Sequence, residues 1–230
     1  MFLSNLLASR LGKTPIQPDT ARPQQFYHHA KEGWTPIRHS GDIRSQSPSS
    51  EHLPERTALS NIRLTTWNID FSTPCGPERM REALNHLFQI HPAGSDNNES
   101  NNPTTDASIP SVILLQEMTD SDLAVIQEMP WIQQRFYVTD LTTQNWMGGY
   151  GTTTLVDKRL FVERVFRVVY SNSMMQRDAL FVDVSILGPG GMYLSTLYRS
   201  LYVADSCCSL THSLTVIKQC PRSSGLATPI

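Results

Sequence analysis

The chain has 230 residues, of which 39% are apolar and 17% charged. That is room for one sizeable domain with tails or two small domains, and both fractions are low for a chain that folds along its whole length. A net charge of −2 excludes a global basic field for nucleic acid, so any such binding rests on local charge. No apolar run approaches the ~20 residues of a bilayer span, so no membrane partner is expected.

The four cysteines, Cys75, Cys207, Cys208 and Cys220, show no C-x-x-C spacing. His212 beside the last three is too weak a cue for zinc. Free thiols in a reducing compartment are expected. An intracellular location follows, in nucleus or cytoplasm. Residues 1–13 lack a positive n-region and a long apolar run. Leu3, Leu6, Leu7 and Leu11 fall at helical spacing, with no acid before Asp19. This is a fraying amphipathic helix or, alternatively, a mitochondrial presequence.

Residues 12–60 are rich in Pro, Ser, Gln, Arg and His, and read as unable to offset chain entropy by burial. The expectation is a disordered arm over 1–60, order from about Asn61, a folded unit over 61–197 and an irregular tail over 198–230. Within the arm, FYHHAKEGWTPI at 26–37 reads as isolated aromatics or as a short docking segment.

Residues 62–68 alternate Ile62, Leu64 and Thr66 against Arg63, Thr65 and Trp67, a strand pattern. Gly76-Pro77-Glu78 then opens a helix, with Pro suited to the first turn and Glu to the positive dipole end. Met80, Leu84, Leu87 and Phe88 form its apolar stripe. A polar loop follows over 91–110. Residues 112–115 are continuously apolar, as in a strand covered on both faces. Thr119 with Asp122 resembles a capping box opening a short helix that Pro130 stops. Strands are expected at 135–139, 150–157, 159–170 (broken or bent), 179–187 and 192–196. Turns are expected at 157–159 and 188–191.

Two strands joined through one helix belong to the same sheet, adjacent or nearly so. Asn68, Asp70 and Glu117 would then project from one edge. Two carboxylates and a carboxamide there suit a hard cation such as Mg²⁺ better than zinc; equally, each acid could simply solvate a strand end.

TWNID at 66–70 and LLQEM at 114–118 resemble the opening motifs of the endonuclease/exonuclease/phosphatase superfamily. GGYGTTTLVDKRL at 148–160 resembles the tyrosine-bearing hairpin of its tyrosyl-DNA phosphodiesterase 2 branch. SNSMMQRDALFVDV at 171–184 resembles that branch's S-x-M-x-R segment. The motifs stand in the family's order. The resemblance implies an α+β fold of two packed sheets between helices, a four-layer α-β-β-α sandwich. It implies a metal-dependent phosphodiesterase with Mg²⁺, or Mn²⁺, held by Glu117 and, through water, Asp70. Asn68 would position the phosphate or its attacking water. Ser173 and Arg177 would contact a DNA-terminal phosphate, to which the planar guanidinium fork is suited, and Tyr150 would line the groove. On the residues alone, Tyr150 reads equally as a packing aromatic, and Arg177 as an ion-pair partner of Asp178 or Asp183.

The family's later motifs are T-H-L-E-S, G-D-x-N with a catalytic Asp, and S-D-H with a catalytic His. Here STLYRS stands at 195–200, and neither of the others occurs; Gly41-Asp42 is the only Gly-Asp. The chain therefore reads as truncated, supplying roughly one sheet. The inward faces of Leu180, Val182, Val184 and Ile186 would be bare, calling for a protein partner or inviting aggregation. Loss of general-base help alone costs about 10²–10⁴ in rate, so weak or absent turnover is expected. A non-catalytic binding remnant, or a sugar-phosphate or lipid head-group phosphodiesterase, are the alternatives.

Overall fold

A computed structural model describes residues 17–38, 61–91, 109–171, 173 and 177–185, together with the backbone of 193–199 and 213–219. The N-terminal leucine stripe, Ile186, the turn at 188–191, His212, Cys207, Cys208 and Cys220 lie outside these. Cys75 is exposed and free. No helix among the described residues is long and apolar enough to cross a membrane.

The fold is mixed α/β, as the sequence leads one to expect, and it holds two sheets. The first three strands are β1 (Ala21–Gln24), β2 (Phe26–Ala30) and β3 (Gly33–Ile37). β4 (Arg63–Asn68), helix α1 (Gly76–Ile90) and β5 (Ser111–Met118) form the expected crossover. Helices α2 (Asp120–Glu128) and α3 (Pro130–Arg135) precede β6 (Phe136–Val138). Then come β7 (Gly151–Asp157), β8 (Phe161–Val169), β9 (Asp178–Ser185), β10 (Tyr193–Arg199) and β11 (Ser213–Gln219). One sheet is ordered β3-β2-β6-β7-β5-β4 and the other β1-β8-β9-β10-β11. β4 and β5 are parallel; every other pairing is antiparallel.

Local chemistry accounts for the helices. Pro77 lies in the first turn of α1 and Glu78 faces its positive end. The box expected at Thr119 is present: its hydroxyl donates to Asp122 Oδ2 at 2.8 Å, and the same oxygen accepts the Thr119 N–H at 2.8 Å. Pro130 does end α2, but it also opens α3, where its missing N–H costs nothing. α1 is tied to both strands at its end by buried His91, whose Nδ1 meets Ser111 Oγ at 2.9 Å and Nε2 meets Thr65 Oγ1 at 3.0 Å.

β5 is apolar throughout because it is covered on both faces. Ile113 and Leu115 join Met80, Leu84 and Leu87 of α1 in the helix-facing core. Val112 turns the other way, to Val162, Val165, Leu180, Val182 and Val184 of the second sheet. This overturns the bare sheet face. Leu180, Val182 and Val184 are fully buried against the first sheet, so the face does not call for a partner protein. The chain supplies two sheets, not one.

Two further expectations are corrected. Residues 21–37 carry three strands inside the supposed disordered arm, and Phe26 and Ile37, 1% and 7% exposed, seal the core between the sheets. The docking segment is thus a hairpin of the first sheet, with Tyr27 against Val138. The tail is not irregular throughout: β10 runs to Arg199, and β11 pairs with it over its full length. The bend expected within 159–170 is a register shift between Val162 and Arg164.

Candidate functional site

The parallel ladder of β4 and β5 ends with Asn68 opposite Gln116, and the Ile69 N–H continues it to the Gln116 carbonyl at 2.8 Å. Immediately beyond, both chains break. Asp70 has φ 60° and Glu117 φ 53°, left-handed backbone in residues other than glycine. Such a conformation costs on the order of 1–3 kcal/mol and concentrates at functional positions. At Glu117 the cause is visible. Leu115 and Met118 of β5 face Thr153 and Gly151 of β7, three steps against two. The extra residue is a bulge, which re-aims a side chain. Glu117 is 9% exposed.

Asp70 heads a tight turn. Its Oδ1 accepts the Ser72 N–H at 3.2 Å and the Ser72 hydroxyl at 2.6 Å, and Oδ2 accepts the Thr73 hydroxyl. These hydroxyls hold its carboxyl below the usual carboxylate range, so it is anionic at neutral pH. The Asp70 N–H donates to Asn68 Oδ1 at 2.8 Å. Arg79, in the second turn of α1, locks the strand end from behind: Nη1 donates to the Ile69 carbonyl at 2.7 Å and Nη2 to that of Asp70 at 3.0 Å. The open side of β4 and the start of α1 enclose a cleft of about 730 Å³, lined by Asn68, Asp70, Glu78 and Arg79 among others. Glu117 lies one strand away, on β5.

Tyr150 stands just before β7, at this same edge, because Gly151 faces Met118. Its ring lies flat on Phe71, with centroids 4.2 Å apart and planes 4° apart. Ser173 and Arg177 belong to the β8–β9 connection on the other sheet. The Ser173 hydroxyl accepts the Arg177 N–H at 2.8 Å. Of the aspartates considered as Arg177's partners, Asp178 pairs with Arg167 and Asp183 with Arg164.

Arg167 brings the two sheets into register. It is fully buried, and all five of its N–H groups are used. Nη1 donates to Asp178 Oδ1 at 2.7 Å and Thr152 Oγ1 at 3.1 Å. Nη2 donates to Asp140 Oδ2 at 2.8 Å and the Thr152 carbonyl at 2.7 Å. Nε donates to Gln24 Oε1 at 3.0 Å. Burial alone would lower the guanidinium's pKa, but the two carboxylates more than offset it, and the pKa is raised. The clamp fixes Thr152, two residues from Tyr150, to Asp178, next to Arg177. Asn68, Asp70, Glu117, Tyr150, Ser173 and Arg177 thus all lie at the ends of strands on one edge of the sandwich. Sequence reading missed the clamp, although Val165, Arg167 and Val169 share one strand face, as do Asp178, Leu180 and Val182. It also missed Phe71 and Arg79.

The donor set suits a hard divalent cation held by few protein ligands. Asp70 and Glu117 supply oxygens, and the Glu117 carboxylate accepts no hydrogen bond among the described residues. No cluster of three or more His, Cys, Asp or Glu able to hold a metal occurs among the described residues.

No protein-family model matches the sequence, and no curated protein matches it. Among solved structures it is similar to a truncated TDP2 of Caenorhabditis elegans, at 23% identity and TM-score 0.39 over 55% of this chain and 42% of that one. It is similar also to TDP2 from C. elegans, at 26% identity and TM-score 0.39 over 55% and 32%. A selenomethionine form of the C. elegans protein matches at 24% identity and TM-score 0.39, over 64% of this chain and 38% of that one. The chain spans less than half the length of each.

Proposed function

We propose that residues 61–197 carry the metal-holding half of a phosphodiesterase site for DNA-terminal phosphodiesters, of the 5′-tyrosyl type. The observation that supports this reading is the pair of left-handed carboxylate residues, Asp70 and Glu117, at the ends of adjacent parallel strands beside Asn68. Left-handed backbone also occurs at Asp19 and Cys75, but only at Asp70 and Glu117, among the described residues, does it fall on carboxylates that end two paired parallel strands. The four sequence motifs in order add the substrate class.

In this reading Glu117 and Asp70 would hold Mg²⁺ or Mn²⁺, which when bound supplies charge to a phosphoryl oxygen and its leaving group. Asn68, its Oδ1 held by the Asp70 N–H, keeps its amide N–H₂ for a phosphate oxygen. The Arg177 guanidinium and the Ser173 hydroxyl would contact the terminal phosphate, and Tyr150 would bound the groove. Such a site binds and orients. The sequence has no G-D-x-N or S-D-H, so turnover by this chain is slow at best, and binding without catalysis is the second reading.

Hydrolysis of a 5′-tyrosyl oligonucleotide with Mg²⁺ separates the two. If the enzyme reading holds, wild type exceeds Glu117→Gln by about 10²-fold or more. Equal rates, at background, leave only the binding reading.

A further inference from the structure

We propose that Phe71 and Tyr150 form a two-ring platform on which a planar aromatic group stacks when its attached phosphate sits at the Asp70–Glu117 edge. The inference deepens the phosphodiester reading and rests on it. It begins from an aromatic residue out of place. Phe71 keeps 39% of its surface exposed, one of three large apolar side chains so exposed among the described residues. It directly follows Asp70. One face is spent on Tyr150, in a near-parallel stack at 4.2 Å.

Burial does not account for this pairing. Phe71 joins neither apolar core. Nor is Tyr150 held by its hydroxyl, which is shielded from water and has no hydrogen-bond partner among the described residues. A buried hydroxyl left so costs about 1–3 kcal/mol. Its ring is therefore positioned for its face rather than for its polar end.

Both rings are braced by their neighbours. Phe71 stands inside the turn closed by the Thr73 N–H to the Asp70 carbonyl at 3.2 Å and by the Ser72 and Thr73 bonds to the Asp70 carboxylate. Arg79 grips the two carbonyls just before it. Tyr150 is backed by Gly151, against which the buried Trp146 ring packs so closely that a Cβ would lie 2.2 Å from it. Flat aromatics beside an edge that would hold a cation suit a ring carried on a phosphate. Stacking tolerates any π-face, so both a nucleobase and a tyrosyl phenol qualify.

The test uses the full chain and three probes in Ca²⁺ buffer, because the two carboxylates repel a phosphate unless an oxygen-ligated cation sits between them, with each probe checked by chromatography to be intact: 5′-phosphorylated trithymidylate, the same trimer with an abasic 5′-terminal residue, and that abasic trimer with a 5′-tyrosyl group. Binding is followed by titration calorimetry. Wild type is expected to bind a ring-bearing probe about 5- to 150-fold more tightly than the abasic one, the range for one stacked base. Whichever arm gains, thymine or tyrosyl, names the ring. Phe71→Ser removes the difference between ring-bearing and abasic probes. Phe71→Trp keeps it, with tryptophan emission quenched on binding. Melting curves check that both variants fold, as expected for an exposed position.

Equal wild-type affinity for ring-bearing and abasic probes overturns the platform while leaving the phosphate site standing. A preference that survives in Phe71→Ser overturns Phe71's part in it. If no phosphate-bearing probe binds, both the platform and the phosphodiester reading fall. Ring preference without hydrolysis in Mg²⁺ upholds the platform and removes only the enzyme.

Discussion

Arg167→Met puts the clamp between the sheets to the test. Methionine keeps much of the volume but takes away five donors and the charge facing Asp140 and Asp178, which are 1% and 7% exposed. Removing one partner from a buried ionic group costs about 3–5 kcal/mol, because the remaining charge stays desolvated. Against a domain stability of about 5–15 kcal/mol, that is a large share. The pH dependence distinguishes this from simple loss of packing. Burial already pushes the Asp178 carboxyl up from its ordinary 3.8, and Arg167 pulls it back only in part. Without Arg167 the rise is greater. A raised folded-state pKa means that the fold retains a proton the unfolded chain has released. Stability then falls as pH climbs through the window above 3.8. Urea unfolding at about pH 5 and about pH 8 should therefore show the larger deficit at the higher pH. Adding Asp140→Asn and Asp178→Asn should flatten this slope. A penalty below about 1 kcal/mol, or one that does not change with pH, would refute the reasoning.

Three further outcomes follow from the geometry. Gly151→Ala places a methyl 2.2 Å from the Trp146 ring; overpacking of this kind costs about 1–3 kcal/mol, read as a drop in thermal midpoint. Phe26→Ala should cost about 3–5 kcal/mol in chemical unfolding, since Phe26 closes the core between the sheets; a disordered arm would register no change. Ser72→Ala with Thr73→Ala should move the Asp70 carboxyl up toward its ordinary value, measured by carbon NMR titration. Asp70's depressed pKa contributes stability above its unfolded value that is lost as pH falls through the folded one, so the double variant should show a shallower acid limb.

What the sequence disclosed, and what it hid, divides along one physical line. Patterns decided by a residue's immediate neighbours were legible. Val112 to Leu115 is apolar because both faces are covered, Thr119 and Asp122 form a cap three residues apart, and polar residues mark where β4 and β5 emerge. Patterns decided by distant contacts were not. β1 to β3 contain Pro23, Pro36 and a His pair, poor strand formers, and their order comes from Phe26 and Ile37 meeting residues more than a hundred positions away. An arginine between valines reads as an edge charge until Asp140, Thr152 and Asp178 close around it.

The candidate site combines both kinds of pattern. Asn68, Asp70 and Glu117 were legible as types and as an edge, yet neither positive φ was, because nothing local obliges Asp or Glu to adopt one. The bulge that turns Glu117 exists only in relation to β7. The turn that seats Asp70 is written in Ser72 and Thr73 but is held in place by Arg79 from the helix behind it. Strain of this sort persists only where the surroundings over-determine it. At both acids they do so from two sides, which is why this edge, rather than the buried His91 or the Arg167 clamp, is where a ligand is to be sought.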